Sequence, residues 1–131
     1  MVGQVPLLAL SFACDTAIPY PGKVVVVAST VNAGNVALPA AAGVTGFMGV
    51  VDQDTAVDDA YNTVSVIMEG TALVQTTGAA AIAIGALLEI GNAAGQVQTH
   101  TANQVIGVAL TAAPAVAGSW VTMRIIKTAT N

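Results

Sequence analysis

The sequence predicts an all-β domain built from short strands, with an extended N-terminal segment and little helix. Runs of β-branched or alternating residues recur along the chain, and 13 glycines lie between these runs where turns are needed. The apolar side chains are small, with 26 Ala and 20 Val against five aromatic residues. Because 131 residues can bury a core without disulfides, we expect one compact domain.

Residues 1–22 have the composition of an arm that precedes a single β domain at residues 23–131. Proline and glycine interrupt this segment, and proline removes a donor from any strand ladder. The apolar stretch within it is suited either to lying extended against another molecule or to forming an edge strand of its own domain. The side chains that we predict to contact a partner are Val5, Leu7, Leu8, Leu10 and Phe12.

The strongest strand signals are residues 63–69 and 119–127, where the chain alternates as half-buried strands do. The residues expected on one face of each are Val64, Val66 and Met68 in the first run and Val121, Met123 and Ile125 in the second. The remaining strands are expected at 24–28, 72–75, 86–90, 96–99 and 104–110. A glycine-rich turn at residues 91–95 predicts a tight connection between two of them.

One short helix is expected at residues 54–61, because Thr55 and Asp58 have capping-box spacing. The sequence also contains a weak internal echo, in which residues 47–51 resemble 105–109 and each is followed by an alternating run. Residues 33–38 likewise resemble 84–88. This pattern indicates two related β lobes or a chance similarity in a chain rich in Ala, Val and Gly.

Composition excludes several classes of function. Charged residues make up only 8% of the chain, against about 25% in a typical soluble domain. Three basic residues are too few to neutralise a phosphate backbone, and a net charge of −4 disfavours an anionic membrane surface. Polar residues and prolines interrupt every long apolar stretch, so we expect no transmembrane span. A surface so poor in charge is expected to be covered by other chains.

Residues capable of catalysis or metal binding are scarce. Cys14 and His100 are the single cysteine and the single histidine, so they cannot build a zinc site or a disulfide. We interpret His100 as a solvated loop residue and Cys14 as a buried thiol. No nucleophile motif accompanies them, and we therefore expect neither an enzyme nor a cofactor.

Four of the seven acidic residues lie within eight positions. The spacing of the first two resembles a calcium loop, but the positions that need glycine and glutamate hold Val57 and Thr63. We interpret the cluster as a solvated loop or as an acidic patch that meets a basic partner. Its members are Asp52, Asp54, Asp58 and Asp59.

Three stretches of the C-terminal half form a recognisable pattern, namely residues 78–90, Val-Ile-Gly-Val-Ala-Leu at 105–110 and the closing strand at 121–126. In these stretches the chain resembles the small tailed-phage capsid decoration (cement) proteins, and the resemblance covers residues 24–127. It implies a β-clip or β-tulip fold related in architecture to lambda-type head decoration proteins. It also implies a homotrimer on the outside of an icosahedral head. Residues 1–22 depart from the short N-terminus usual in the family.

The resemblance further implies that the chain clamps adjacent major capsid subunits, so that it is located on the outer capsid surface after synthesis in the host cytoplasm. Two alternatives remain from the sequence. One is another structural virion module, such as a minor capsid, fibre or spike-base protein. The other is a small ligand- or carbohydrate-binding β domain, which would need exposed aromatic residues with polar partners.

Overall fold

A computed structural model describes residues 4–15, 21–27, 34–52 and 63–127. These residues form strands, isolated bridges and turns, without helix, so the predicted all-β class is confirmed. The helix expected at residues 54–61 lies outside the described residues. The strands are β1 (Val5–Ala13), β2 (Val24–Val27), β3 (Val36–Ala37), β4 (Phe47–Val51), β5 (Thr63–Gln75), β6 (Leu87–Ile90), β7 (Val97–Thr99), β8 (Gly107–Ala109) and β9 (Trp120–Ile125).

The nine strands form one antiparallel sheet made of two halves with the same topology. The order is β3-β2-β4-β5-β9-β8-β6-β7, and β1 pairs separately with β5. In the first half, β2 pairs with β3 and β4, and β4 pairs with β5. In the second half, β6 pairs with β7 and β8, and β8 pairs with β9. Strands β2–β5 therefore correspond in order and pairing to strands β6–β9, and β5 and β9 join the halves.

The internal echo of the sequence coincides in part with this repeated topology. Residues 47–51 and 105–109 contribute β4 and β8, which occupy equivalent places. Val50 and Val108 each follow a glycine and pair with equivalent strands, opposite Ile67 and Arg124 respectively. The second similarity does not fit, because residues 33–38 contribute to β3 whereas 84–88 contribute to β6. The two halves share one sheet instead of forming separate lobes.

Strand β5 runs through two segments that the sequence analysis predicted as separate strands. Gly70 lies between them with a φ of +102°, a conformation that favours glycine. A Cβ added at Gly70 would come within 2.3 Å of the Val5 carbonyl oxygen. The inward and outward alternation of side chains along β5 also changes phase here. Ile67 and Ala72 both face the main core, although residues five positions apart in a regular strand face opposite sides. One long strand can therefore serve both halves.

The inner side of the curled sheet is filled by the main core, to which both halves contribute. Its fully buried members include Val50 and Ile67 from the first half and Leu88 and Met123 from the second. Val121 and Met123 lie on the buried face that the alternation of residues 119–127 predicts, and Ile125 packs against them. Fully burying side chains of this size contributes about 1.5–3 kcal/mol each.

A smaller core lies on the outer side of the first half, where β1 and the end of the curled sheet close over it. Cys14, directly after β1, forms a parallel bridge with Val36 of β3, and the Asp15 amide donates to the Val36 carbonyl at 2.9 Å. Phe12 packs from β1 onto this core. The face predicted for Val64, Val66 and Met68 is confirmed, because all three contact it. Its buried members are Cys14, Val25, Val36, Val51, Val64 and Val66.

Candidate interaction surface

Strand β1 carries several exposed large apolar side chains of the N-terminal segment. Leu7 is 76% exposed, and Val5, Leu8 and Leu10 are also exposed, whereas Phe12 is half-buried in the small core. Of the two interpretations of this stretch, the structure shows a strand paired antiparallel with β5 of the chain's own sheet. The strand nevertheless leaves most of its apolar surface in solvent. Whether residues 1–22 act as a separate arm stays a prediction.

A bulge in β1 accompanies the high exposure of Leu7. Pro6 pairs with Gly70 and Leu8 pairs with Glu69, so Leu7 has no partner in the register. Bulges of this kind bend the strand and redirect a side chain. The Val5 amide donates to the Thr71 hydroxyl at 2.7 Å, which holds the start of the strand beyond the bulge. Because β1 pairs with β5 on both sides of Leu7, the sheet holds the backbone that carries this exposed side chain.

The outer side of the second half bears a row of five residues that face the same way across the sheet. Residues directly opposite one another in antiparallel strands share a side, and the register links them in one continuous line. Leu87 is 44% exposed and Val5 is 59% exposed at the two ends, and Arg124 is exposed in the middle. This outer row consists of Val5, Thr71, Arg124, Val108 and Leu87.

A groove of about 480 Å³ opens at the Val5 end of the outer row, where β1 and β9 both meet β5 at Thr71. Apolar side chains form most of its wall, and four polar or charged side chains also line it. Its lining residues are Val5, Leu7, Met68, Glu69, Gly70, Thr71, Arg124, Ile125 and Lys127. The groove has the size of a small-ligand site, but it is open and shallow enough to receive a side chain from another protein.

The groove gathers two of the three basic residues of the chain. Burial lowers the pKa of Lys127, and the nearby Glu69 carboxylate offsets only part of this effect. Within the described residues, no ion pair joins Arg124 to a carboxylate. A guanidinium beside apolar side chains is suited to bind a carboxylate through two parallel hydrogen bonds. The groove therefore combines apolar contact with two basic groups and the carboxylate of Glu69.

The acidic cluster is only partly within the described residues. Asp52 follows β4, and its carboxylate accepts a hydrogen bond from the Gln4 side-chain amide at 2.6 Å. The other predicted members, Asp54, Asp58 and Asp59, lie outside the described residues. The structure thus connects Asp52 to the residue preceding β1, and the partner-binding role of the cluster stays a prediction.

Glu89 forms a buried polar network that the sequence analysis did not predict. Its side chain is fully buried in β6, and seven contacts of 2.9–3.4 Å surround its two oxygens. The backbone amides of Thr101, Ala102 and Asn103 all point at Oε2, and the Gln98 amide donates to Oε1. The carboxylate therefore organises the loop between β7 and β8.

The hydrogen bonds to Glu89 outweigh its burial. Burial by itself would raise the pKa, but the side-chain donor Gln98 and the amides of Asn103, Thr101 and Ala102 lower the pKa to about 2. His100 also belongs to this network, because its Nδ1 lies 3.2 Å from Oε2. The histidine is therefore half-buried against a carboxylate, and the prediction of a solvated side chain is wrong. The network ties a loop to the sheet.

Cys14 is buried next to the small core, and burial raises the pKa of its thiol. Among the described residues, no group of three or more His, Cys, Asp or Glu side chains is placed to hold a metal ion. The same part of the chain contains no helix long and apolar enough to cross a membrane.

A second exposed apolar region lies in the loops at residues 78–86 and 112–118. Ile82 and Ala113 exchange two backbone hydrogen bonds of 2.9 and 3.0 Å, which hold the two loops together. Ile84 is 71% exposed and Val116 is also exposed. No charged residue occurs in either loop. We call this region the alanine-rich loops.

Sequence reasoning found the apolar residues of β1 but missed the outer row. The alternation of residues 119–127 does place Arg124 away from the core. However, Val108 and Leu87 lie 16 and 37 positions from Arg124, and only the register of β6, β8 and β9 brings them together. A scan against protein-family models and a search of curated proteins both find no match for this chain.

Proposed function

We propose that this chain is a structural virion protein, namely a homotrimeric decoration or cement protein that binds the outside of an icosahedral phage capsid. It stabilises the capsid by clamping adjacent major capsid subunits, and it acts as an adhesive without catalysis. The observation that carries this proposal is the apolar surface of β1, which lies on the folded body and remains exposed at Leu7, Leu8 and Leu10. The sequence resemblance described above names the partner.

The mechanism is the sum of several modest contacts. Each exposed leucine that becomes buried contributes up to about 1.5–3 kcal/mol, which is too little for a stable complex after the cost of association. A trimer presents three copies of β1 together, and linking contacts in this way raises avidity by about 10²–10⁴. The acidic cluster that begins at Asp52 would set orientation more than affinity.

The proposal is tested by titrating the purified protein onto empty capsids of the phage that encodes it and measuring the bound fraction by sedimentation. Replacing Leu7 and Leu10 together by Asp places charge on the adhesive surface of β1. We expect binding to weaken at least about ten-fold, since a loss of 1.4 kcal/mol already produces that factor. The matched control is Ile84→Asp with Val116→Asp, two exposed apolar residues in the alanine-rich loops.

Unchanged binding of the Leu7 and Leu10 variant would remove β1 from the mechanism. If the unmodified protein does not bind the capsids even when it is in large excess over the binding sites, the decoration function itself is contradicted. A small ligand or a sugar that competes with capsids for the protein would instead favour the ligand-binding alternative.

A further inference from the structure

We propose that the free edge of β1 binds an extended segment of the major capsid subunit through backbone hydrogen bonds. This inference rests on the proposed function, which names the capsid as the partner, and it assigns the kind of structure that the capsid contributes. The free edge is the side of β1 that faces away from β5 at residues Ala9–Ser11. It offers amides and carbonyls, and it is therefore a different contact from the exposed leucine side chains of the same strand.

The register fixes which backbone groups of β1 point towards the free edge. In an antiparallel pair, residues that exchange hydrogen bonds alternate with residues whose amides and carbonyls point the other way. The Asp52 amide donates to the Ser65 carbonyl at 2.9 Å, so Ser65 directs its backbone groups towards β4. Ser11 lies opposite Ser65, and its own backbone groups therefore point away from β5. Ala9, two residues earlier in the same register, has the same orientation.

The C-terminal end of β1 gives the same orientation independently. The Asp15 amide donates to the Val36 carbonyl at 2.9 Å, which places β3 on the side of β1 that faces away from β5. Backbone groups of every second residue in an extended chain point to the same side, so Ser11 shares the direction of Asp15. In the part of the chain that the structure describes, β3 reaches β1 only at the Cys14 bridge, and no strand pairs with the edge at Ser11.

The free edge lacks the features that usually prevent an edge strand from pairing with another chain. Those features are charged side chains, proline and bulges. In β1, the proline is Pro6, and the two register shifts fall between Pro6 and Leu8 and between Leu8 and Ala9. Residues 9–13 contain neither a charge nor a proline, and Ala9 and Ser11 are both exposed. This part of β1 is therefore open to a further strand.

The backbone groups of the free edge identify the structure that can occupy it. Ala9 and Ser11 present two amides and two carbonyls, which repeat along the strand every 6.5–7 Å or so, about twice the rise per residue. A side chain or a small ligand could satisfy one or two of these groups, whereas an extended backbone matches all of them. The small side chains of both residues allow a neighbouring strand to approach. Leu10, which is 46% exposed, would be partly buried beside it.

The experiment compares Ser11→Pro with the matched control Ser11→Val by sedimentation with empty capsids. Proline removes the amide that points towards the free edge, but it leaves the backbone groups of Leu10 and Phe12 that face β5. Valine also replaces the serine side chain, but it keeps the amide. We expect S11P to bind capsids at least about ten-fold more weakly, and S11V to bind as tightly as the unmodified protein.

Amide hydrogen exchange gives a second measurement, which can be made on the unmodified protein. In the free protein, the amides of Ala9 and Ser11 should exchange rapidly, whereas those of Leu10 and Phe12 should exchange slowly because they bond to β5. On the capsid, the amides of Ala9 and Ser11 should become protected. Slow exchange at Leu10 and Phe12 in S11P verifies that β1 still lies on β5 in this variant.

Four results would overturn the inference. The first is S11P that binds as tightly as S11V, and the second is equal weakening of both variants, which would assign the effect to the side chain. The third is rapid exchange at Ala9 and Ser11 that persists on the capsid. The fourth is slow exchange of both amides in the free protein, which would show that the same chain or a second copy already covers the edge.

The same measurements separate this inference from the proposed function. If S11P and the unmodified protein bind capsids equally, only the strand pairing at Ser11 is contradicted and the decoration function stands. If the unmodified protein does not bind capsids, the decoration function is contradicted, and the inference is contradicted with it.

Discussion

The two halves of the sheet have the same strand order but bury their outer sides differently. In the first half, β1 and Cys14 close over Val25, Val51 and Val66, and the side becomes a small core. In the second half, the outer side stays open around Arg124, and a buried carboxylate, Glu89, holds a loop at the other edge. A repeated topology therefore does not determine which surfaces are hidden. The covering segments decide that.

The largest expected effect comes from placing the same charge on a residue of the main core and on a residue of the outer row. Val50 is completely buried, whereas Val108 is half-buried on the outer row. Val50→Asp should lower the free energy of unfolding by about 3–5 kcal/mol, because the carboxylate is buried without a partner. Val108→Asp should cost about 1 kcal/mol or less, since the residue can turn its carboxylate to solvent. Urea denaturation measures both, with the mass of each variant checked by light scattering. Equal losses would show that the outer row is covered as thoroughly as the main core.

The second effect concerns Glu89, whose network has no counterpart in β2 of the first half. Glu89→Gln should destabilise the protein by about 3 kcal/mol, since hydrogen bonds to a charged group contribute about 1.5–3 kcal/mol each and the new amide leaves backbone donors of the loop unsatisfied. The exposed Glu69→Gln is the control and should change stability by no more than about 0.5 kcal/mol. Hydrogen exchange at Thr101, Ala102 and Asn103 should accelerate in the Glu89 variant only. Slow exchange there would contradict the role of the carboxylate.

The same residue predicts a pH dependence. Because the pKa of Glu89 is lowered to about 2 in the folded protein, the unfolded chain binds its proton first as pH falls. The stability that the carboxylate contributes is therefore complete above its ordinary pKa of about 4.3 and declines from there towards pH 2. Urea midpoints measured across this range should fall in the unmodified protein and change less in the Glu89→Gln variant. If the urea midpoints of the two proteins fall equally with pH, the acid sensitivity arises from other carboxylates.

The smallest effect tests how far β1 closes the small core. Phe12 packs against that core, whereas Leu10, two residues earlier on the same strand, is 46% exposed. Phe12→Ala should cost about 2 kcal/mol, which is less than the about 3–5 kcal/mol for a fully buried phenylalanine. Leu10→Ala should cost about 1 kcal/mol or less. Reactivity of Cys14 towards a thiol reagent offers a second readout, since opening the small core exposes it. A Phe12 variant as stable and as unreactive as the Leu10 variant would mean that β1 does not form the lid.

Local pattern predicted most strands because a strand with one buried side needs apolar residues at every second position. Val64, Val66 and Met68 share a face as expected, and the glycine-rich turn between β6 and β7 forms an antiparallel hairpin. Pattern failed at Gly70, where an apparent turn residue continues β5 and reverses its alternation. It also failed at Glu89, because an acid between apolar neighbours gives no indication that the donors of residues 98–103 surround it.

The apolar residues of β1 could be predicted, but the open row could not. A row across five strands depends on register, and register arises from contacts between residues as distant as Val5 and Thr71. The charge of the row has the same origin, since Arg124 gains its apolar neighbours only when β8 and β9 pair.

By itself, the sequence determined the all-β class, the approximate position of most strands and an apolar N-terminal segment on a chain with little charge. These follow from local periodicity and composition, which act over a few residues. The tertiary structure decided that β1 lies on β5, that the first half closes over a small core and that the second half leaves its outer row exposed. The reason is that burial depends on which distant segments pack together. The pattern of residues within one segment does not determine which other segment will cover it.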